Sequence, residues 1–342
     1  MKTWSKALLL GALSLAVLLA AIGIGSVSIA PGDIFAIFGH KLWGLPLPDG
    51  MDAVTASILW DIRLPRALAA FLVGGALAAS GTVMQSVLKN PLASSYTLGV
   101  SSGASLGAAA VMVTGFTLPF AGMFTLPIAG FIAGLATVLA AIAFAMRLDR
   151  NLENQTIILV GMVFSLFVNA ILTLINALAK EQLQQLVLWQ MGSFSAKNWS
   201  HLAVLLPVVL VGALLLCRYT REMDIMTFGD EQARAMGVDT KPVKLKLIVL
   251  AALLTGTAVS FTGVIGFVDL IAPHVVRRFF GAAHRRVLPL SVLFGGAFMA
   301  GADLVARTAL SPIELPVGAV TALVGAPFFA FIYFKRRGRA RA

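Results

Sequence analysis

The sequence predicts an all-α, polytopic membrane protein with about ten transmembrane helices in one transmembrane domain, residues 1–342. Of its 342 residues, 59% are hydrophobic and only 12% are charged, whereas a soluble domain carries about 25% charged residues. The apolar segments are continuous and near the length of about 20 residues that a helix needs to cross a bilayer. Strands of a membrane barrel would instead alternate apolar and polar residues, so these runs indicate helices.

Polar breaks divide the apolar runs into ten predicted crossings. The first run follows Lys2 and Lys6 as in a signal peptide, but it is long for one and no clear cleavage site follows, so we interpret it as a retained helix. The eighth contains Gly263, Gly266 and Pro273, so we expect it to be short or broken. The predicted spans are approximately 7–29, 67–87, 93–113, 126–146, 155–178, 200–217, 246–262, 264–280, 287–306 and 316–334.

Lysine and arginine set the predicted orientation. With the N-terminus in the cytoplasm, 20 of the 26 Lys and Arg residues fall in cytoplasmic segments, as the positive-inside rule requires. An even number of crossings returns the C-terminus to the same side. Contact of these loops with anionic membrane lipid explains the net charge of +11, so we predict no nucleic-acid partner.

The longest predicted cytoplasmic segment contains the sequence GDEQARAMGV at 229–238. The central part of this segment covers about residues 224–240. Asp230 is expected to cap a helix, Glu231 favours the positive helix end, and Gly237 is suited to end it. Such a helix, with small Ala233 and Ala235, is too short to be stable alone in water. It either docks in a groove of another protein or lies as an ordinary loop helix at the lipid interface.

Three arginines, Arg63, Arg66 and Arg307, lie on the predicted outer face, where the positive-inside rule disfavours them. One interpretation is that they receive carboxylates of a soluble partner by bidentate pairing. The other is that they pair with acids of the chain itself or extend to the membrane surface. The acids nearby in sequence are Asp61, Asp303 and Glu314.

The predicted spans contain few ionisable residues, which argues against an ion-coupled carrier because such carriers usually hold carboxylates or histidines near the midplane. Asp269 is the main candidate, and a structural role in the broken eighth helix is favoured. The sequence shows no convergent polar cluster of a membrane-embedded enzyme, so no catalytic residue and no metal ligand is predicted. It also has no nucleotide-binding loop, so any energy from ATP must come from a partner chain.

Four stretches of the chain resemble permeases of the FecCD/BtuC type. These permeases are membrane subunits of binding-protein-dependent type II ABC importers for iron-siderophores, heme and vitamin B12. The matches follow the family's order from residue 63 to the C-terminus. They are RLPRALAAFLVGGALAASGTVMQSVLKNPLA at 63–93 with LGVSSGASLG at 98–107, GDEQARAMGV at 229–238, TGVIGFVDLIAPHVVRRFFGAAHR at 262–285 and DLVARTALSPIELPVGAVTALVGAPFF at 303–329.

The resemblance implies a bacterial inner-membrane permease that forms a homodimer, or pairs with a close homologue, around a translocation path. It implies two separate ATPase subunits, which would bind ATP and Mg²⁺ while this chain binds no cofactor, and a periplasmic or lipid-anchored substrate-binding protein. The fifth crossing and residues 182–191 are expected to line the path. The residues implied to couple to the ATPases are Gly229, Asp230, Glu231, Ala233, Arg234, Ala235 and Gly237.

By the same resemblance, Arg63, Arg66 and Arg307 are expected to dock the binding protein, and Asn90 and Leu92 to form a cytoplasmic gate. The chain departs from the family pattern at two places near that gate. Lys89 stands where Arg or another residue is common, and Ser94-Ser95 stands where many members have an acidic residue and proline.

The expected cargo is an iron(III)-siderophore, with heme as the first alternative and vitamin B12 as the second. An ion-coupled secondary carrier is the alternative of a different class. The two classes differ in a measurable way, since a carrier transports without an ATPase partner.

Overall fold

The computed structural model describes residues 3–25, 29–48 and 51–339, and the side chains of residues 4–25, 29–48 and 51–331. These residues form helices and connecting loops, with only an isolated bridge between Leu310 and Ile313. The α-helices are α1 Thr3–Gly23, α2 Pro31–Trp43, α3 Ala53–Ser57, α4 Leu64–Val87, α5 Val100–Thr114, α6 Thr125–Leu148, α7 Asn154–Leu178, α8 Leu183–Gln190, α9 Trp199–Cys217, α10 Thr220–Met226, α11 Asp230–Ala235, α12 Thr240–Thr262, α13 Val268–Phe280, α14 His284–Thr308 and α15 Val317–Arg339.

Each of the ten predicted crossings coincides with a helix, in order α1, α4, α5, α6, α7, α9, α12, α13, α14 and α15. Seven helical segments in the described part of the chain are long and apolar enough to cross a bilayer. They are Trp4–Gly23, Ala53–Val87, Gly122–Leu148, Asn154–Leu178, Trp199–Cys217, Thr240–Thr262 and His284–Thr308. Two shorter apolar helices are Val100–Thr114 and Val317–Phe331. Helix α13 has 13 residues, as expected for the broken eighth crossing.

Several predicted boundaries were wrong. The second crossing begins well before residue 67, because a π-helical stretch, Ile58–Arg63, joins α3 to α4 without a break. The third begins at Val100 rather than 93, since Ser95–Leu98 forms a 3-10 turn that the Ser94 hydroxyl caps. Helix α1 ends at Gly23, and residues 26–28 of the first predicted span lie outside the described residues. The prediction also missed α2 and α8, which lie between crossings.

Helix α4 is the centre of the bundle. Twenty of its 24 residues are buried, against α14, α12, α13 and α9. Small residues allow these close approaches, as is usual where membrane helices pack without a hydrophobic driving force. A Cβ atom on Gly74 would lie 2.2 Å from the carbonyl oxygen of Gly295 on α14. A Cβ on Gly81 would lie 1.9 Å from the carbonyl oxygen of Asp269 on α13.

Two irregular segments, residues 93–99 and 263–267, lie inside the bundle and pair with each other. The hydroxyl of Tyr96 donates to the carbonyl oxygen of Ile265 over 2.7 Å, and the Ser94 hydroxyl donates to the Asp269 carboxylate. Lipid offers no hydrogen-bond partner, so non-helical backbone at this depth requires partners within the protein. Asp269, 1% exposed, therefore has the structural role that the sequence favoured for it.

We predict that Gly74→Leu destabilises the protein by about 1–3 kcal/mol or more, because the side chain collides with the backbone of α14. Gly11→Leu on α1 is the matched control, since no atom lies within 4 Å of a Cβ placed there. Thermal unfolding of the two purified variants in detergent is the measurement. Equal melting temperatures for both variants would contradict the close α4–α14 contact.

Candidate functional site

The predicted functional residues gather at the two opposite ends of α4. Arg63 precedes this helix and Lys89 follows it, and 24 helical residues rise about 36 Å. We call the end that holds residues 88–92, 149–154, 218–239 and 281–284 the inner end. The end that holds residues 63–66 and 303–316 is the outer end. The structure thus separates the predicted coupling and gate residues from the predicted docking residues by the thickness of the bundle.

The coupling segment, residues 224–240, contains the short helix α11, Asp230–Ala235. Gly229 precedes α11 with a backbone φ of 122°, and Gly237 follows it with φ of 86°, conformations that residues with a Cβ rarely adopt. Gly237 therefore ends the helix as predicted. The prediction that Asp230 caps it was wrong, because Gly229 is the N-cap and the Asp230 carboxylate turns toward two lysines.

One face of the coupling segment is exposed and contains large apolar side chains. Phe228 is 69% exposed and Met236 is 56% exposed, in a region outside the apolar spans. We call the exposed residues the coupling surface: Phe228, Glu231, Gln232, Arg234, Ala235 and Met236. Ala233 faces the opposite way and is fully buried against Met226 and Val238. Of the predicted coupling residues, Glu231, Arg234 and Ala235 point outward while Ala233 is a packing residue.

The Asp230 carboxylate joins two lysines from distant parts of the chain. Lys89 Nζ lies 2.8 Å from Asp230 Oδ1, and Lys244 Nζ donates to Oδ2. Lys244 is 1% exposed and also donates to Asn154 Oδ1 at 2.9 Å and to the Leu152 carbonyl oxygen at 3.3 Å. Burial alone raises the pKa of the Asp230 carboxyl, but the hydrogen bonds from Lys244 and Lys89 outweigh burial and bring the pKa below its usual value.

The gate loop, residues 88–92, is a tight turn directly after α4. Lys89 has a left-handed φ of 51°, and the Asn90 side-chain oxygen accepts a hydrogen bond of 2.9 Å from the Leu92 amide. This bond forms an Asx turn, which fixes the backbone locally. Leu92 itself is 62% exposed. The two predicted gate residues therefore lie on one stiff, exposed turn whose neighbour Lys89 contacts the coupling segment.

A second contact attaches the coupling segment to α14. The Asp224 carboxylate accepts from the backbone amide of His284 at 3.0 Å, and its Oδ1 lies 2.6 Å from Nδ1 of the same histidine. A carboxylate at a helix N-terminus is stabilised by the helix dipole and the free amides. This pairing could not be predicted from local sequence, because the two residues are 60 positions apart.

At the outer end, the three arginines bind partners within the chain. Arg63 is 5% exposed and donates to the Gly23 carbonyl oxygen at 3.0 Å, at the end of α1. Arg307 donates to the carbonyl oxygen of Ala21 in the same helix turn. Such contacts satisfy the free carbonyl groups and the negative dipole end of a helix. These two arginines thus hold the end of α1 against the bundle.

Arg66 occupies the centre of this outer arginine cluster. Its guanidinium pairs with Asp303 at 2.9 Å and with Glu314 at 2.7 Å. The Asp303 side chain is 2% exposed, whereas that of Glu314 is 43% exposed and lies at the rim. Asp61, the third acid considered, is exposed. Pairing within the chain is therefore what the structure shows, and docking of a partner on these arginines stays a prediction.

A cavity of about 460 Å³ opens at the outer ends of α5 and α7. Its lining includes Val113, Leu178 and the polar run from Lys180 to Gln182. It overlaps the start of residues 182–191, which were predicted to line a translocation path. Among the described residues, no group of three or more His, Cys, Asp or Glu side chains is placed to hold a metal ion.

Comparison with known proteins connects this arrangement to transport. The model of the FecCD transport family matches residues 12–335, nearly the whole chain. The chain belongs to the FecCD transport family. It is thus an ABC importer permease, a multi-pass membrane subunit, and both the resemblance and the all-helical fold expected from the sequence are confirmed.

Relatives of this FecCD permease match it over most of their length. It is 41% identical over 321 residues to YvrB, an uncharacterized ABC transporter permease of Bacillus subtilis (strain 168), covering 94% of this chain and 91% of the relative. It is 38% identical over 298 residues to the cobalamin import permease BtuC of Halobacterium salinarum, covering 87% and 79%. It is 36% identical over 325 residues to the hemin transport permease HmuU of Yersinia pestis, covering 94% and 95%.

A solved structure described as an inward-facing conformation of a metal-chelate type ABC transporter has the same fold. The superposition has a TM-score of 0.84 and covers 97% of this chain and 99% of that one, with 30% sequence identity. The relatives that share the FecCD fold thus differ in the cargo that their names give, which separates the family assignment from the choice of substrate.

We predict that Arg66→Gln destabilises this permease by about 3–5 kcal/mol, because it leaves the buried Asp303 carboxylate without its main partner. Glu314→Gln, which removes the exposed partner of the same arginine, should cost under about 1 kcal/mol. Thermal unfolding in detergent measures both variants. A mild effect of Arg66→Gln, equal to that of Glu314→Gln, would contradict a structural role for the outer arginine cluster.

Proposed function

We propose that the chain is the translocation subunit of an inner-membrane importer that moves a metal chelate, first of all an iron(III)-siderophore, by ATP-driven alternating access. Two copies would form the permease, with two ATPase subunits at the inner end and a substrate-binding protein at the outer end. Both termini would then face the cytoplasm. The observation that carries the proposal is the coupling surface, an exposed apolar and charged face on the inner end of an ABC importer permease.

The coupling surface has the features of a docking site. Phe228 and Met236 expose apolar area beside charged Glu231 and Arg234, outside the helical segments that are long and apolar enough to cross a bilayer. Exposed apolar area rimmed by charges is typical of a protein interface. A short helix that presents such a face suits the groove of a partner. Ala233, buried behind it, attaches this face to α10 and α12 through Met226 and Val243.

Polar side chains on α7 support a dimer around a path. Asn169 and Thr173 are exposed on this otherwise apolar helix, deep within the span. Polar groups inside a membrane usually face a protein interior or a water-filled cavity rather than lipid. A second subunit across this face would provide such surroundings, in agreement with the path along the fifth crossing that the family resemblance implies.

The net positive charge of the outer arginine cluster, rather than a free guanidinium group, supports docking of an acidic partner. Three arginines face two carboxylates, which leaves one positive charge in excess. Glu314 lies at the rim, so an incoming carboxylate has to share or replace its contact with Arg66. Salt should weaken this attraction, since the rim is exposed. We therefore propose that Arg63, Arg66 and Arg307 attract the carboxylates of a binding protein through their excess positive charge.

The cargo is proposed as a metal chelate because most of the relatives whose names give a cargo transport cobalamin or hemin, and the matching solved structure is of metal-chelate type. One relative, 33% identical over 320 residues, is instead named as a molybdate import permease of Haemophilus influenzae. An iron(III)-siderophore is the first candidate, and heme and vitamin B12 are the alternatives. The affinity of the cognate binding protein for the three chelates ranks them, because the binding protein selects the cargo before it reaches the permease.

We predict that Met236→Asp lowers recovery of the ATPase subunit with the purified permease by about tenfold or more, which corresponds to about 1.4 kcal/mol. Leu310→Asp, at an apolar side chain on the outer end that is 59% exposed, is the matched control and should leave recovery unchanged. The complexes are then reconstituted in vesicles with the binding protein, and chelate uptake is measured with and without ATP.

Two results would overturn the proposal. The first is full ATPase recovery and ATP-driven uptake with Met236→Asp, which would remove the coupling surface from the interface. The second is concentrative uptake by the permease alone under an ion gradient, which would make it an ion-coupled carrier.

A further inference from the structure

The carboxylate of Asp230 contacts two different kinds of lysine. Lys244 on α12 is almost fully buried and has three acceptors, from Asp230, Asn154 and Leu152. It is a fixed anchor that holds the coupling segment to the start of α7. Lys89 on the gate loop has a side chain that is 32% exposed and contacts the other carboxylate oxygen. Each oxygen of one carboxylate thus holds a different element.

The Lys89 contact joins the coupling segment directly to the gate loop. Lys89 is the residue before Asn90, and the Asn90 side chain fixes the Leu92 amide, so a pull on Lys89 moves a stiff turn rather than a flexible loop. The Lys89 amide donates to Ser86 and the Asn90 amide to Gln85, which ties the same turn to the last residues of α4.

The other attachment of the coupling segment leads elsewhere. Asp224 contacts His284 at the start of α14, and that helix packs along α4. Beyond the gate loop, Ser94 is held by Asp269 on α13. The segment from Lys89 to Ser94 is thus fixed at both ends by carboxylates, and only the one at Lys89 belongs to the coupling segment.

We propose that the Lys89–Asp230 ion pair is the link through which movement of the coupling segment displaces the gate loop. Lys89 is then a positioning residue for transport, and it contacts neither ATPase nor cargo. This inference rests on the proposed function, because it assumes that ATPase subunits move the coupling segment. It assigns a role to the lysine at which the chain departs from the family pattern.

The test uses the full complex of permease, ATPase and binding protein in vesicles, with Lys89→Gln, Lys89→Arg and Lys246→Gln. Lys246 is an exposed lysine on α12, so its substitution is a matched loss of charge at the same end. ATP hydrolysis and chelate uptake are measured on the same vesicles. With Lys89→Gln, hydrolysis should continue while the number of chelates moved per ATP falls about fivefold or more, the usual lower range of coupling between sites.

Lys89→Arg should restore uptake per ATP to within about twofold of the unchanged protein, because an arginine keeps the charge that pairs with a carboxylate. Lys246→Gln should match the unchanged protein. Unchanged uptake per ATP with Lys89→Gln would overturn the link. If the complex with Lys89 intact shows no ATP-dependent uptake, the proposed function fails instead, so the two failures are distinct.

A second measurement follows the gate directly and does not depend on uptake. Leu92→Cys is introduced after removal of the single native cysteine by Cys217→Ser, and its labelling by maleimide is compared with and without ATP. Labelling of Leu92→Cys should change with ATP in the protein with Lys89 intact and in the Lys246→Gln variant. It should be the same with and without ATP in the Lys89→Gln variant. An ATP-dependent change that persists in Lys89→Gln would overturn the proposal.

Discussion

The need to pair every backbone polar group inside the membrane determines this architecture. Helices meet the need along most of the chain, and α4 is buried among them because its glycines allow neighbouring backbones to approach closely. Where the helices break, Tyr96 donates to Ile265 in the segment 263–267, and Ser94 donates to Asp269 at the start of α13. The segment that follows the gate loop and the broken eighth helix are therefore parts of one hydrogen-bonded unit.

The same need for partners within the protein determines where charged side chains can be buried. A buried charge is tolerated where partners surround it, so Lys244 has three acceptors and the Asp303 carboxylate has Arg66. At the outer end such pairing leaves a rigid cluster that holds the end of α1. At the inner end, pairing joins elements that are far apart in sequence, and one of them carries the exposed coupling surface. The molecule thus pairs its charged side chains within the chain at both ends of the bundle.

Sequence reasoning identified what depends on local pattern. Apolar runs located the ten helices that were predicted as crossings, seven of which are long and apolar enough to span a bilayer. Gly263, Gly266 and Pro273 marked the short one, because composition and helix-breaking residues act locally. The start of α5 was misplaced because no proline or charged residue separates residues 93–99 from the apolar run that follows, and their 3-10 turn depends on the Ser94 cap. The capping role of Asp230 was wrong because its partners, Lys89 and Lys244, approach only in the folded chain. Exposure of Phe228 and Met236 likewise has no local signature.

The sidedness of the coupling surface tests the account most directly. In a Cys217→Ser background, Met236→Cys and Ile313→Cys place one exposed cysteine at each end of the bundle. A membrane-impermeant maleimide is added to right-side-out and to inverted vesicles of the host's inner membrane. The account predicts that Met236→Cys is labelled only in inverted vesicles and Ile313→Cys only in right-side-out vesicles. Labelling of Met236→Cys from the outer side would contradict it, since no cytoplasmic ATPase reaches a surface that faces away from it.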